Sequence, residues 1–420
     1  MGTLVDPDNL VKDSFDVFKN SFSQTHEDLR QNGFDQKKTL IPISSSGSII
    51  NGGHRLSAAL NLGKDVWVLQ TCLPAICCDY DYFYRRVVPV PLIEMAVTQL
   101  LKYPKHTHIA FLWPSGAGSF DQTEDLFTNV IYKAKKNVTF NGALNLLYEC
   151  YGHMDWIGAE DAGFPGLQQK RLECFPKDLN FIFIVFQEAA GIDRVRSIKD
   201  EIRKINGIGF SSVHITDTKD EVLRLANILL NDNSWHFINN SKNYLQAHHG
   251  LNHLIRAMNR DNVDSNDIVV DGSFVLEAYG YRPAADIDIL VSNTVSPCKL
   301  SEFERHDHEL RYHAVSKENL IYDKRYFLKL CGLKIVSLNQ IAVLKKNRGE
   351  PKDIIDLELI KAQISNSRYK KLEVLLRQKY LYFKLKAVRF CFGAVISTLK
   401  LIGLYITIRS LWRRLRCVRK

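Results

Sequence analysis

Val269-Val-Asp-Gly-Ser-Phe-Val-Leu-Glu-Ala-Tyr-Gly-Tyr-Arg-Pro-Ala-Ala-Asp-Ile-Asp-Ile-Leu-Val291 sets a Gly-Ser turn ahead of two aspartates separated by one apolar residue. Side chains alternate faces along a strand, so Asp286 and Asp288 project from one side while Ile287 and Ile289 turn to the core. Two carboxylates at one spot repel unless a cation sits between them, and hard oxygen ligands suit magnesium. Upstream, Ile268 to Val270 reads as a buried strand, Gly272-Ser273 as a tight turn and Phe274 to Tyr279 as a short helix. The start of that helix offers the Gly272 and Ser273 amides to a phosphate.

An apolar residue, Gly-Ser, twelve intervening residues (274–285), then Asp-apolar-Asp-apolar resembles the signature of the nucleotidyltransferase superfamily that includes DNA polymerase beta. Gly332-Leu-Lys-Ile-Val-Ser-Leu338, followed by Lys345, Arg348, Lys352, Asp353 and Asp356, looks like the strand and basic helix that follow the catalytic sheet there. The resemblance spans residues 250 to 362. It implies Asp286 and Asp288 as catalytic ligands of Mg²⁺, Gly272 and Ser273 as the grip on a nucleoside triphosphate, and Lys345 and Lys352 in nucleotide binding. The family also uses a third carboxylate on a neighbouring strand. Glu309, in His308-Glu-Leu-Arg-Tyr-His313, is the first candidate for it, with Asp307 and Asp323 behind.

Near the other end, Ile41-Pro-Ile-Ser-Ser-Ser-Gly-Ser-Ile-Ile-Asn-Gly-Gly-His-Arg-Leu56 reads strand, turn, strand, then a Gly-Gly-His-Arg junction into a helix, with a further strand at Val66 to Val68. Backbone amides, the positive helix end and an arginine fork make a phosphate site. The segment resembles the ParB/sulfiredoxin fold, whose members carry Gly-x-His-Arg at this junction and bind nucleotide phosphates with it. That implies phosphate binding by Gly52, Gly53, His54 and Arg55. Sulfiredoxin chemistry is disfavoured, because Gly53 stands where its catalytic cysteine would be. Asn51 stands where kinase-like relatives carry an acid. Asp79 and Asp81 follow in an aromatic-rich turn.

The chain of 420 residues, 45% apolar, exceeds what one core usually accommodates, so several domains are expected. We expect a multidomain α/β and α+β protein. A ParB/sulfiredoxin-like domain would occupy 1–90, an α/β middle region 91–240, a nucleotidyltransferase-like domain with a mixed sheet and helices 245–365, and a basic amphipathic tail 380–420. In the middle, Pro91 to Lys102 reads as a helix, with strands at His108 to Trp113 and Phe181 to Phe186. Pro114-Ser-Gly-Ala-Gly118 lacks the Gly-Lys-Ser/Thr of a P-loop. Lys199 and Arg203 lie four apart on a helical face, and His214 and Thr216 share a strand face ahead of Asp217. This cluster is a candidate second site for a phosphorylated ligand, with His214 as general base. Thr218 to Leu230 reads as a capped amphipathic helix, and Asn231 to Asn243 as a linker.

Ten Lys or Arg and no acid lie between 384 and 420, and removing them takes the net charge of +10 to zero, so nucleic acid is not demanded as a partner. Polar Lys386, Arg389, Gly393, Ser397, Lys400 and Thr407 form one stripe of a helix whose other face is apolar. The uncharged run Phe390 to Leu399 is half the ~20 residues a spanning helix needs. A helix lying on the inner membrane surface fits better. Met1 to Lys12 has no apolar run, and the nine cysteines show no Cys-x-x-Cys spacing. These features imply a cytoplasmic protein, peripheral on the membrane, without a disulfide framework or zinc site.

The expectation is an enzyme of Mg-dependent nucleotidyl transfer to a small phosphorylated or sugar/polyol acceptor, placed by analogy in cell-surface polysaccharide biosynthesis. Its rivals are a small-molecule kinase working through the N-terminal module and a DNA-associated or antitoxin-like regulator.

Overall fold

The computed structural model describes residues 14–75, 79–364 and scattered positions from 372 to 400. It is a mixed α/β protein with three sheets among the described residues, divided into two compact units, Met1–Ile93 and Glu94–Lys420. The second unit holds both the middle region and the segment carrying Asp-Ile-Asp. Most of the basic tail, including 401–420, lies outside the described residues.

The first unit runs α1 (Phe15–Asn32), β1 (Ile41–Ile43), α2 (Gly53–Leu62), β2 (Val68–Gln70) and α3 (Tyr80–Arg85). Strands β1 and β2 pair in parallel, a connection that needs a crossover, and α2 supplies it. Leu29, Ala58 and Ala59 form the core between α1 and α2, with Phe22, Phe34 and Leu62 packed against it. The strand expected between turn and Gly-Gly-His-Arg shrinks to a single bridge, Ile43 with Ile49, because Ser44 to Ser48 closes a tight turn held by its own hydroxyl and carbonyl.

After α4 (Val90–Leu100), which straddles the boundary, the second unit opens with β3 (Thr107–Leu112), α5 (Phe120–Glu124), β4 (Val130–Asn137), α6 (Phe140–Tyr151), α7 (Pro165–Cys174), β5 (Asn180–Gln187), α8 (Ile192–Asn206), β6 (Val213–Ile215) and α9 (Lys219–Leu229). The four strands form an antiparallel sheet in the order β4-β5-β3-β6. Near-continuous apolar runs in β3 and β5 fit strands covered on both faces. Phe111, Trp113 and Phe181 pack ring to ring there. The Thr218 hydroxyl caps α9, as its position before the amphipathic run predicts.

Asn231 to Asn243 is not a linker. Asn231 accepts from the amides of Asn233 and Ser234 and starts α10 (Asp232–Asn240), which buries Phe237 and Ile238. The polar run that suggested a loop is an Asn cap followed by polar residues around an apolar stripe. The same Asn231 donates to the carbonyl of Phe327, and Ser234 accepts from the Lys329 amide, which ties the two sheets of this unit together.

Next come α11 (Tyr244–Asp261), β7 (Ile268–Asp271), α12 (Phe274–Ala278), β8 (Asp288–Val291), β9 (Glu304–Arg305), α13 (Lys317–Tyr322), β10 (Phe327–Leu330), β11 (Leu333–Val336), α14 (Leu338–Arg348) and α15 (Pro351–Ile364). Their strands form a mixed sheet, β10-β11-β7-β8-β9, with β11/β7 and β8/β9 parallel and the other pairs antiparallel.

Candidate functional site

Strand β7 ends at Asp271, and Gly272 then turns the chain into α12 at a φ of +71°. The turn requires glycine twice over, since a Cβ at 272 would enter the Asp288 carboxylate. Asp286 lies in the approach to β8, and Asp288 is its first residue, paired across the sheet with Asp271. On the other side β9 runs parallel to β8 and sets Glu304 against Asp288. One carboxylate oxygen from each of Asp286, Asp288 and Glu304 lies within 4.8 Å of the others. They open into a cleft of about 570 Å³ whose walls include Gly272, Ser273, Arg282, Lys345, Arg348 and Lys352.

The electrostatics are those of carboxylates crowded together beside one imidazole. Burial pushes the Asp288 carboxyl up to about 6, and Asp286, Asp271 and Glu304 add to the shift against the pull of His306. Three carboxylates and no sulfur form a hard donor set, which fits Mg²⁺ by its chemistry.

Behind this cluster stands a layer that sequence reading missed. Asp271 is fully buried, and its Oδ2 accepts from His306 Nδ1 and His313 Nε2, each at 3.0 Å. Burial works to raise its pKa, but the two imidazole hydrogen bonds outweigh that and hold it well below the ordinary carboxylate range. Because an ionised carboxylate only accepts, both ring nitrogens carry hydrogen. The other nitrogen of His306, Nε2, lies 3.5 Å from Asp288 Oδ2. A carboxylate thereby orients a histidine whose far side faces the acidic cluster, the arrangement that fixes ligands around metals. Asp271 stood within the quoted stretch, but nothing in it pointed to two histidines more than thirty residues away.

Glu309 is not the third carboxylate of the cluster. The parallel β8/β9 register gives that place to Glu304, while the chain turns after Arg305 into a 3₁₀ segment where Glu309 takes a hydrogen bond from Arg348 at 3.3 Å. Asp307 pairs with Lys317 and Asp323 with Arg325, so neither alternative joins the cluster.

The basic residues divide. Lys345 is buried, its Nζ 3.1 Å from Asp353 Oδ1 and 2.8 Å from Asp356 Oδ2, so its charge is already met. Arg348 and Arg282 each make paired 2.8 Å bonds to Asp353 and Asp356 respectively. The basic helix motif thus builds an ion network in the cleft wall, whereas Lys352, which also lines the cleft, is half-exposed and pairs with Glu350 at 3.1 Å. No family model, curated protein or solved structure matches this chain.

In the first unit the Gly-Gly-His-Arg residues make contacts within that unit. Gly52, at φ +93°, precedes α2, and the Arg55 guanidinium folds back until a Cβ at 52 would stand 3.0 Å from it. Arg55 donates to the Leu40 carbonyl at 3.2 Å, and the His54 ring sits edge-on to Phe18 and Phe22. Gly53 opens α2 with free space around its Cα. Asp79 caps α3 through the Tyr82 amide, and Asp81 pairs with Arg85.

Lys199, Arg203 and His214 do come together, in a cleft of about 630 Å³ with Trp156 and Phe210. Each has an internal partner: Lys199 meets Asp217 at 2.7 Å, Arg203 meets Asp200 at 2.9 Å and lies over Phe210, and His214 Nε2 donates to Glu221 at 2.9 Å.

Proposed function

We propose that the cleft of Asp286, Asp288 and Glu304 carries out Mg-dependent nucleotidyl transfer from a nucleoside triphosphate to a small phosphorylated or sugar/polyol acceptor. The observation that supports this reading is the convergence of the Asp286, Asp288 and Glu304 carboxylates beside the Gly272-Ser273 turn, where burial and the neighbouring carboxylates raise Asp288 against the pull of His306. Asp286, Asp288 and Glu304 would hold the metal. Bound there, magnesium supplies charge stabilisation to the transferring phosphoryl group. Gly272 and Ser273 line the cleft, and Ser273 stands at the start of α12. Asp271, His306 and His313 hold Asp288 in place, and Lys352, half-exposed at the cleft, would leave its partner Glu350 to meet phosphate oxygens.

The further expectations, attachment to the inner membrane face through the basic tail and a place in cell-surface polysaccharide synthesis, extend this reading. Among the described residues no helix is long and apolar enough to cross a membrane.

The test is product analysis with Mg²⁺, the four ribonucleoside triphosphates and pooled sugar and polyol phosphates. Pyrophosphate release that disappears in Asp286→Ala/Asp288→Ala and with EDTA supports the reading. Turnover that survives the double substitution removes it.

A further inference from the structure

A second cleft of the same unit, about 640 Å³, lies between α6, α9, α11 and the β10/β11 turn and shares none of the acidic cluster's residues. Cys331 Sγ lies 3.0 Å from His248 Nδ1 there, and His248 Nε2 lies 3.3 Å from Glu149 Oε1. That second approach is off the line of a hydrogen bond, but it leaves the ring beside a buried carboxylate. Glu149 is fixed in turn by Arg224 and by the Tyr244 hydroxyl, both at 2.7 Å. Tyr148 and Tyr244 hold the imidazole between their rings, at 5.6 and 5.0 Å. Sulfur, imidazole and carboxylate come from three elements far apart in sequence and converge on one cleft.

The backbone supplies an independent sign. In the two-residue loop Leu330-Cys-Gly-Leu333 both central residues have positive φ, +53° at Cys331 and +76° at Gly332. Asn or Gly suits the first of these positions, and a cysteine there carries strain of about 1 kcal/mol. Strain of this kind persists where the surroundings hold it in place, and it clusters at functional sites.

We propose that Cys331 is the nucleophile, and His248 the base, of a second catalytic site that takes an acyl group from an uncharged or cationic ester or thioester. The lining sets the substrate class. Arg224 is committed to Glu149, His214 to Glu221 and Lys199 to Asp217, while Asp220 adds further negative charge, so a phosphoryl substrate is disfavoured. Burial pushes the Cys331 thiol up to about 12, so the resting thiol keeps its proton and gives it up only during attack. The Cys331 proton passes to His248 as sulfur bonds to the carbonyl carbon. The carbon–oxygen or carbon–sulfur bond to the leaving group breaks, and the proton departs with the alcohol or thiol. Water, deprotonated by His248, then cleaves the acyl-cysteine, releasing the acid and restoring the thiol. Glu149 is the positioning residue, stabilising the imidazolium that forms.

The full-length protein is mixed with p-nitrophenyl acetate in EDTA, so that metal-dependent chemistry is silent. Expected is a burst of one p-nitrophenol per chain with the acetyl adduct on Cys331, not on the exposed Cys72 or Cys298. Cys331→Gly relieves the positive φ, so it folds, and it abolishes the burst. His248→Ala slows the burst by ~10²-fold or more, and added imidazole restores it. Glu149→Gln slows it at unchanged amplitude, and Glu149→Asp recovers the rate. Absence of a burst, an adduct spread evenly over the cysteines, or a His248→Ala variant as fast as the parent overturns the proposal.

Discussion

The Asp-Ile-Asp cleft and the Gly-Gly-His-Arg junction start from the same kind of signal, a glycine turn leading into a helix, and differ in what their charges meet. In the cleft three carboxylates face one another, and burial with mutual repulsion lifts Asp288 to about 6. At the junction the one strong charge, Arg55, partly exposed, donates to the Leu40 carbonyl, and His54 rests against two phenylalanine rings. A short motif reads as a site when the fold leaves its charge unmet, and as architecture when the fold satisfies it. Substitutions at each place test that division.

The largest effect is expected at Asp288. Asp288→Ala removes the central member of the carboxylate cluster, and Mg²⁺-dependent pyrophosphate release should fall to background while the circular dichroism of the fold persists. Asp288→Asn with full activity would break the comparison, because the cleft would then have no use for its charge.

Lys345→Met comes next, and it separates a wall from a ligand. Asp353 and Asp356 are buried, and with Arg348 and Arg282 still paired to them, removing the ammonium between them should cost about 1.5–3 kcal/mol, the range for hydrogen bonds to charged groups. The pH dependence has a definite sign. Burial works to raise both aspartates, but Arg348, Arg282 and Lys345 outweigh it and hold them below their ordinary 3.8. Carboxylates lowered by folding stabilise the protein above that value and lose the contribution as pH falls through it. The stability gap between variant and parent should therefore narrow below pH 3.8, as followed by urea unfolding across the acid range. A variant that unfolds like the parent but binds nucleotide poorly would make Lys345 a ligand after all.

How much of this was legible in the sequence follows from range. Strand β7, the Gly-Ser turn, helix α12 and β8 were readable because alternation and glycine punctuation act within a few residues. Asp286 and Asp288 came with them. Glu304 was not readable, since a two-residue strand has no periodicity, and its place depends on the parallel register with β8. Asp271 with His306 and His313, and Cys331 with His248 and Glu149, are assembled by contacts across 35 to 99 or more positions, of which no local pattern carries a trace. The error at Asn231 to Asn243 had the opposite origin, because asparagines that favour loops also cap helices.

Gly272→Ala tests how tightly the cleft is built. The new methyl has no room beside the Asp288 carboxylate, and the φ of +71° disfavours any side chain. A cost of about 1–3 kcal/mol is expected. Mg²⁺ binding measured by calorimetry should weaken along with it, since relief of the clash must move the Asp288 ligand itself. Unchanged metal affinity would show that the turn and the carboxylate are independent.

The smallest effect belongs to Arg55→Ala. Its one described hydrogen bond is to the Leu40 carbonyl on a partly exposed side chain, so its loss should cost about 1 kcal/mol. Pyrophosphate release, which this reading assigns to the other unit of the chain, should remain within the error of the assay. The variant nevertheless discriminates most sharply between the two regions. If nucleotide turnover releases diphosphate and vanishes with Arg55→Ala, the guanidinium must swing from Leu40 to a phosphate when ligand arrives. The charge that looks satisfied would then be held in reserve, and the chemistry would move to the Gly-Gly-His-Arg junction.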